Sequence, residues 1–313
     1  MHHNDRSIKQ GDRLLKMQGK RDRGPVEFKS HLVTKEGEVM AIATRDVVSV
    51  PPTQTILAAA EQMTKCGFRR LPVTDAGTHH LRGIVTSGDV INFMGGGDKY
   101  QLVKVRHGGN LLAAVNESVR AIMTQQPETL QDDARIIDAV EVILKKKIGG
   151  IPITDKDGAL AGIVTERDVL GILGAERSTL SVEDVMSSTL RVTAPGTSIS
   201  SVTHDMTKYR FRRLPVVSDD VLFGIVTATD VMRYLGSREV FGRLTTGNIA
   251  EVTGLPVRTL INRELYTTNP EKNINEAARE MLEKNIGALP VIEDSHLIGL
   301  VTEFDLVRAF AAG

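Results

Sequence analysis

The pattern Gly, two aliphatics, Thr, two variable residues and Asp occurs four times in this chain, at residues 83–89, 162–168, 224–230 and 299–305. Each copy follows an apolar-Pro-apolar step: Leu71-Pro72-Val73, Ile151-Pro152-Ile153, Leu214-Pro215-Val216 and Leu289-Pro290-Val291. The Pro-to-Gly spacings are 11, 10, 9 and 9 residues, so one unit recurs along nearly the whole sequence. A chain built this way stacks small similar units, and its function belongs to the unit or to the clefts between units.

Each unit reads in the same order. A short extended entry (47–50, 190–193) leads to a helix with apolar residues at helical spacing, as in Ile56, Ala59, Ala60 and Met63 or Ile274, Ala277 and Met281. A strand around the proline, a polar turn and a second strand follow, and the second strand runs into a final helix. The unit is therefore βαββα in an α/β fold, and at roughly 55–60 residues it is marginal alone. Phe-Arg-Arg-Leu-Pro-Val is common to the first and third units (68–73, 211–216), whereas Ile-Gly followed by Gly or Ala is common to the second and fourth (148–150, 286–288). This alternation implies two pseudo-symmetric modules, units one with two and three with four. The expected boundaries are 39–97, 115–174, 181–236 and 255–312, with Gly95-Gly96-Gly97 and Gly236 as linker glycines and 95–97 as candidate hinges.

The 39 basic residues balance 39 acidic ones, so no global field recruits nucleic acid or an anionic membrane. No apolar run approaches the ~20 residues of a membrane span. Cys66, the sole cysteine, falls on the apolar face of a helix and reads as a buried, inert thiol. A soluble, cytoplasmic protein of a reducing compartment is expected. Residues 1–38 carry nine Lys and Arg against six Asp and Glu and read as a mobile or loosely docked basic arm. The eight histidines show no metal-ligand spacing, so no metal is required. Gly95-Gly96-Gly97-Asp98-Lys99 lacks the spacing and the hydroxyl residue of a phosphate loop.

Two readings of the motif stand side by side. Thr followed three residues later by Asp at a strand-to-helix junction is a helix capping box, with Gly permitting close strand–helix packing. The same geometry offers a carboxylate to a ribose and a helix N-terminus to a phosphate. Arg69-Arg70 and Arg212-Arg213 precede the proline strands of the odd units, and Arg167 lies inside the second motif, where Phe304 stands in the fourth. Planar guanidinium groups at these places suit phosphate and predict unequal sites.

Four such units resemble the cystathionine-beta-synthase (CBS) domain in tandem, as in the gamma subunit of AMP-activated protein kinase and its archaeal four-CBS relatives. The resemblance covers about residues 40–312 and implies two Bateman modules in a flat disc, built from one chain or a homodimer. It implies clefts for AMP, ADP or ATP, with Asp89, Asp168, Asp230 and Asp305 on the ribose hydroxyls. Thr86, Thr165, Thr227 and Thr302 would contact sugar or phosphate, together with Arg69, Arg70, Arg167, Arg212 and Arg213. Val47, Pro127, Leu190 and Leu265 would line adenine. Gly149-Gly150 departs from the His-Arg found there in the kinase subunits, which bears on phosphate contacts in the even clefts.

The expected function is a non-enzymatic sensor that binds adenine nucleotides and signals energy state to an unidentified protein partner. CBS pairs also occur in IMP dehydrogenases, but here the repeats leave no room for a catalytic barrel of ~250 residues. S-adenosylmethionine is the alternative small ligand, and it would not use Arg69 or Arg212. Nucleic acid is the alternative macromolecule, suggested by the basic arm and Lys145-Lys146-Lys147. The charge balance counts against it.

Overall fold

The computed structural model describes residues 38–175, 177–219, 221–261 and 264–312, together with the backbone of Leu14–Leu15. The expected arm otherwise lies outside the described residues. Repeat one holds α1 (Ile56–Cys66), β1 (Arg70–Thr74), β2 (Leu81–Thr86) and α2 (Ser87–Ile91). Repeat two holds α3 (Ile136–Lys146), β3 (Gly150–Thr154), β4 (Leu160–Thr165) and α4 (Glu166–Leu173). Repeat three holds α5 (Ile199–Lys208), β5 (Arg213–Ser218), β6 (Val221–Thr227) and α6 (Ala228–Gly236). Repeat four holds α7 (Ile274–Glu283), β7 (Ala288–Glu293), β8 (His296–Thr302) and α8 (Glu303–Ala311).

All four hairpins are antiparallel and share one register, with Pro72, Pro152, Pro215 and Pro290 opposite Ile84, Ile163, Ile225 and Leu300. A bulge follows one residue after each proline, which bends the strand at the same place. The entry strand is reduced to single parallel bridges at Val50, Thr193 and Thr268. Val50 donates its amide to the Pro72 carbonyl and accepts from the Thr74 amide, both at 3.0 Å, and in repeat two the entry extends to a two-residue strand, Leu130–Gln131.

Entry segments cross between the repeats of a module. Thr44 and Ile163 exchange both backbone hydrogen bonds at 3.0 Å, Thr124 and Ile84 do so at 2.9 Å, and Ser187 and Leu300 do so at 2.9 and 3.0 Å. This pairs repeat one with two and three with four. It also corrects the expected role of the motif glycine. A Cβ on Gly83 would sit 2.6 Å from the Thr124 carbonyl, and on Gly224 2.8 Å from Ile261 Cγ2. The glycine admits the partner repeat's entry segment, not its own helix.

The helices join the modules to each other. One apolar core combines repeats one and three, with Met63, Phe93, Met94, Val202, Met206 and Leu235 at its centre. A second combines two and four through Ile143, Leu170, Leu173, Ala278 and Leu306. The supposed linker glycines are crossing points here and not hinges. A Cβ on Gly96 would meet Thr207 and the Thr203 carbonyl of α5, and one on Gly236 would meet Thr64 and the Ala60 carbonyl of α1. Repeat one reaches this crossing with one extra residue, absorbed as a π-turn over Asn92–Gly96.

Cys66 is exposed, against expectation. It ends α1, and Gly67 turns the chain in a left-handed conformation (φ 69°), so the thiol lies past the buried stripe. Among the described residues no helix is long and apolar enough to cross a membrane.

Candidate functional site

The capping box is present in every repeat. Thr86 donates its amide and hydroxyl to Asp89 Oδ2 at 2.6 and 2.7 Å, and Thr165 does so to Asp168 at 2.8 Å each. Thr227 donates to Asp230 at 2.8 and 2.6 Å, and Thr302 to Asp305 at 3.0 and 2.6 Å. Each Thr hydroxyl also accepts from the Asp amide at 3.3–3.4 Å. The hydroxyl proton is therefore spent on the carboxylate, and the Thr can offer a ligand only its remaining lone pair.

Oδ1 of each carboxylate is what remains for a ligand. The Lys99 ammonium holds that of Asp89, and Arg233 and Arg308 approach those of Asp230 and Asp305 at 3.1 and 3.3 Å. Oδ1 of Asp168 has no hydrogen-bond partner among the described residues. Burial raises the pKa of Asp168, Asp230 and Asp305 against the lowering effect of their Thr partners.

A cavity of about 670 Å³ lies where the four repeats meet. One end is lined by Ile84, Thr86, Thr124 and Pro127 of the first module, the other by Thr227, Asp230, Leu260, Ile261 and Leu265 of the second. Between them stand Arg69, Arg70, Arg212 and Arg213. Of the four expected adenine-lining residues, Pro127 and Leu265 face this cavity. Val47 and Leu190 lie outside its lining, as do Thr165, Thr302, Asp89, Asp168, Asp305 and Arg167. The backbone of Leu190–Arg191 pairs with Leu14–Leu15.

Two buried glutamates anchor the arginines across the module boundary. Arg69 donates to Glu303 at 2.9 Å and Arg212 to Glu166 at 3.1 Å; the glutamates are 2% and 3% exposed. Arg167 also turns to Glu303, at 2.6 Å, and donates to the Ile286 carbonyl at 2.9 Å. It is a strap between repeats two and four. Burial alone would raise the Glu303 carboxyl, but the charges of Arg69 and Arg167 outweigh it and hold the pKa below the ordinary value.

Arg70 and Arg213 have neither an ion-pair nor a hydrogen-bond partner among the described residues. Burial, then the Arg212 charge, pulls the Arg70 guanidinium down to about 10; burial, Arg212 and Arg69 do the same to Arg213. Their remaining exposure is to the cavity. Gly149 and Gly150 make room for them: a Cβ on either would sit 2.7 Å from an Arg70 nitrogen, and one on Gly287 3.1 Å from Arg213. Glycine in the even repeats thus seats the arginines of the odd ones. The sequence reading missed Glu166 and Glu303. Their signal was the residue after the motif Thr, which is Glu in the even repeats and Ser87 or Ala228 in the odd.

Chemically, the guanidiniums of Arg69, Arg70, Arg212, Arg213 and Arg233 and the ammoniums of Lys146 and Lys147 face the cavity against the carboxylates of Glu128, Asp230 and Glu264, with Glu166 and Glu303 paired to the arginines, which leaves an excess of positive charge in a cavity with an apolar wall at each end. Such a site selects an anion carrying flat apolar groups. No group of three or more His, Cys, Asp or Glu that could hold a metal occurs among the described residues.

A model of the CBS domain family matches residues 38–96, 119–175, 182–237 and 257–312. The MJ1225 protein of Methanocaldococcus jannaschii is 39% identical over 87% of this chain and 99% of its own length. A crystal structure of that protein, described as a candidate archaeal homologue of γ-AMPK, matches with a TM-score of 0.83 and 38% identity, over 87% of this chain and 99% of that one. A 33.4 kDa protein of Thermofilum pendens is 28% identical over 82% of this chain and 86% of its own. Inosine-5'-monophosphate dehydrogenase of Bacillus subtilis is 27% identical over 67% of this chain but only 44% of the enzyme.

Proposed function

This chain belongs to the CBS domain family, and from that membership we propose that it is a non-catalytic regulatory protein that binds adenine nucleotides in the clefts opening on the central cavity. One observation carries the reading: Arg70 and Arg213 stand at the cavity wall with no ion-pair or hydrogen-bond partner among the described residues, the carboxylates of Glu166 and Glu303 acting on them only through space. A buried unpaired cation is costly, and phosphate relieves that cost with charge-assisted hydrogen bonds. S-adenosylmethionine brings no phosphate and leaves both guanidiniums unsatisfied.

The ribose falls to the motif carboxylates, Asp230 in the third cleft above all because it lines the cavity. Its Oδ1 accepts from a ribose hydroxyl while Oδ2 keeps the cap. Leu260, Ile261 and Leu265 supply the apolar wall for adenine in that cleft, and Ile84 and Pro127 do so opposite. Likeness to MJ1225, described as a candidate homologue of γ-AMPK, supports energy-state signalling to a protein partner. A nucleotide shifts the assembly only by its differential affinity for two arrangements, and the salt bridges spanning the modules are the contacts that phosphate competes for.

Isothermal titration calorimetry with AMP, ADP, ATP and S-adenosylmethionine tests this. Binding of the nucleotides with adenosine much weaker than AMP is expected. Preference for S-adenosylmethionine, or silence from all three nucleotides, overturns it.

A further inference from the structure

The two odd clefts open on the same cavity but are built differently at the motif carboxylate. At the third cleft Asp230 lines the cavity, and so does Arg233, three residues on in the same helix, whose guanidinium stands 3.1 Å from Asp230 Oδ1. At the first, the lining runs through Thr86, Ser87 and Gly88 and stops short of Asp89. The position that carries Arg233 in repeat three and Arg308 in repeat four holds Asn92 in repeat one, and Asn92 seats a different cation. Its Oδ1 accepts from the Lys99 amide at 2.8 Å, and its Nδ2 donates to Asp98 Oδ1 at 2.7 Å. Gly97 permits this fold-back, since a Cβ there would sit 2.9 Å from Asn92 Oδ1. The π-turn over Asn92–Gly96 thus returns the chain so that the ammonium of Lys99, ten residues beyond Asp89, lies on Asp89 Oδ1.

We propose that Lys99 is the residue that sets the odd clefts apart: it latches Asp89 away from the cavity, so the third cleft takes the first adenine nucleotide and the first cleft fills only at higher concentration, when the ammonium has been displaced. The proposal rests on the adenine-nucleotide reading above. A carboxylate gives up a charge-assisted bond to an ammonium only for a donor of comparable strength, and ribose brings neutral hydroxyls. The side chains of Lys99 and Asp89 are 20% and 10% exposed, so solvent screens their attraction little. Arg233 is a weaker competitor. It is 33% exposed and touches Asp230 within a single helical turn, and it reaches the cavity itself, where a phosphate draws it off the carboxylate.

Calorimetry with AMP on the full chain and on its Lys99→Met variant tests the assignment. The parent should show two odd-cleft affinities about 10-fold or more apart, the difference one charge-assisted bond accounts for. Asp230→Ala should remove the tighter site. Lys99→Met should tighten the weaker site about 10-fold and leave the tighter one unchanged, and adding Asp89→Asn to Lys99→Met should abolish that gain. Asn92→Ala reaches the same contact without deleting either charge: it unseats Lys99 and should tighten the weaker site in the same direction, whether or not the methionine variant folds. Lys99→Arg restores the latch and should return the parent's pattern. Equal odd-cleft affinities in the parent, or a weaker site that Lys99→Met loosens or leaves alone, overturn the latch and leave the nucleotide reading intact. Silence from AMP in the parent and in every variant overturns both.

Discussion

Arg69 and Glu303 are 234 residues apart in the chain and 2.9 Å apart in the fold. The bond ties the first repeat to the fourth, and its counterpart between Arg212 and Glu166 ties the third to the second. Each module thus supplies the cations for the other module's buried anion. On the proposed function, a ligand phosphate entering the cavity would compete with both carboxylates for the same guanidiniums.

Glu303→Gln should destabilise the unliganded protein by about 3 kcal/mol, because it leaves Arg69 and Arg167 without their shared carboxylate. Glu166→Gln should cost less, since Arg212 alone binds it. The same change at Glu303 makes the cavity more positive, so ATP should restore more stability to this variant than to the parent. Urea melts with and without ATP measure both effects, and equal shifts would show that phosphate does not reach the cluster.

Asp230→Ala removes the partner of the Thr227 N-cap and, on the proposed function, the ribose acceptor together. Stability should fall by about 1 kcal/mol and nucleotide affinity by about 1.5–3 kcal/mol. Asp305→Ala shares the capping loss but lies outside the cavity lining, so it should leave the affinity of the odd clefts unchanged. Parallel melts and titrations separate the two roles.

The motif glycines should differ in their tolerance of alanine. On Gly83 the obstacle is the Thr124 carbonyl at 2.6 Å, which is fixed by the backbone pairing with Ile84. On Gly299 it is the Met186 thioether, which can turn aside. Gly83→Ala should cost about 2–3 kcal/mol and Gly299→Ala about 1 kcal/mol. Denaturant midpoints test the order, and the reverse order would mean that Thr124 moves more easily than Met186.

Acidification should act on binding and stability through different groups. Burial raises the Asp230 carboxyl above 3.8, so it gains a proton and ceases to be a full acceptor at a higher pH than a free aspartate. Nucleotide affinity should therefore decline on approaching that range from neutral pH. For stability the same shift works in reverse: the contribution is full below 3.8 and lost as pH rises through the folded value. Glu303 is held below 4.5, so its contribution is present above 4.5 and lost as pH falls through its lower folded value. Titrations and thermal melts across the acid range resolve the two. Unchanged affinity as Asp230 protonates would remove that carboxylate from the site.

Much of this was readable from the chain because the motif is local. Thr and Asp three residues apart at a strand end specify the capping box without help from elsewhere, and the odd–even alternation specified which repeats form a module. What escaped was set by distant partners. Gly149 and Gly150 looked like missing phosphate ligands because the guanidinium occupying their space comes from Arg70, in another repeat. Gly96 looked like a hinge because the threonines pressed against it belong to α5, more than 100 residues on. Arg167 looked like a phosphate ligand until Glu303 and the Ile286 carbonyl were seen to hold it. Cys66 fitted the helical stripe, and only the end of α1 at Gly67 put it outside.

The exchange of entry segments also bears on how such a chain can be divided. Thr44 completes the sheet of the second repeat and Thr124 that of the first, so neither is a whole structure when cut from the other. A cleavage between repeats two and three severs no such pair. It would leave two halves still clasped by the shared odd and even cores, able to purify as one particle and to find each other again after separation.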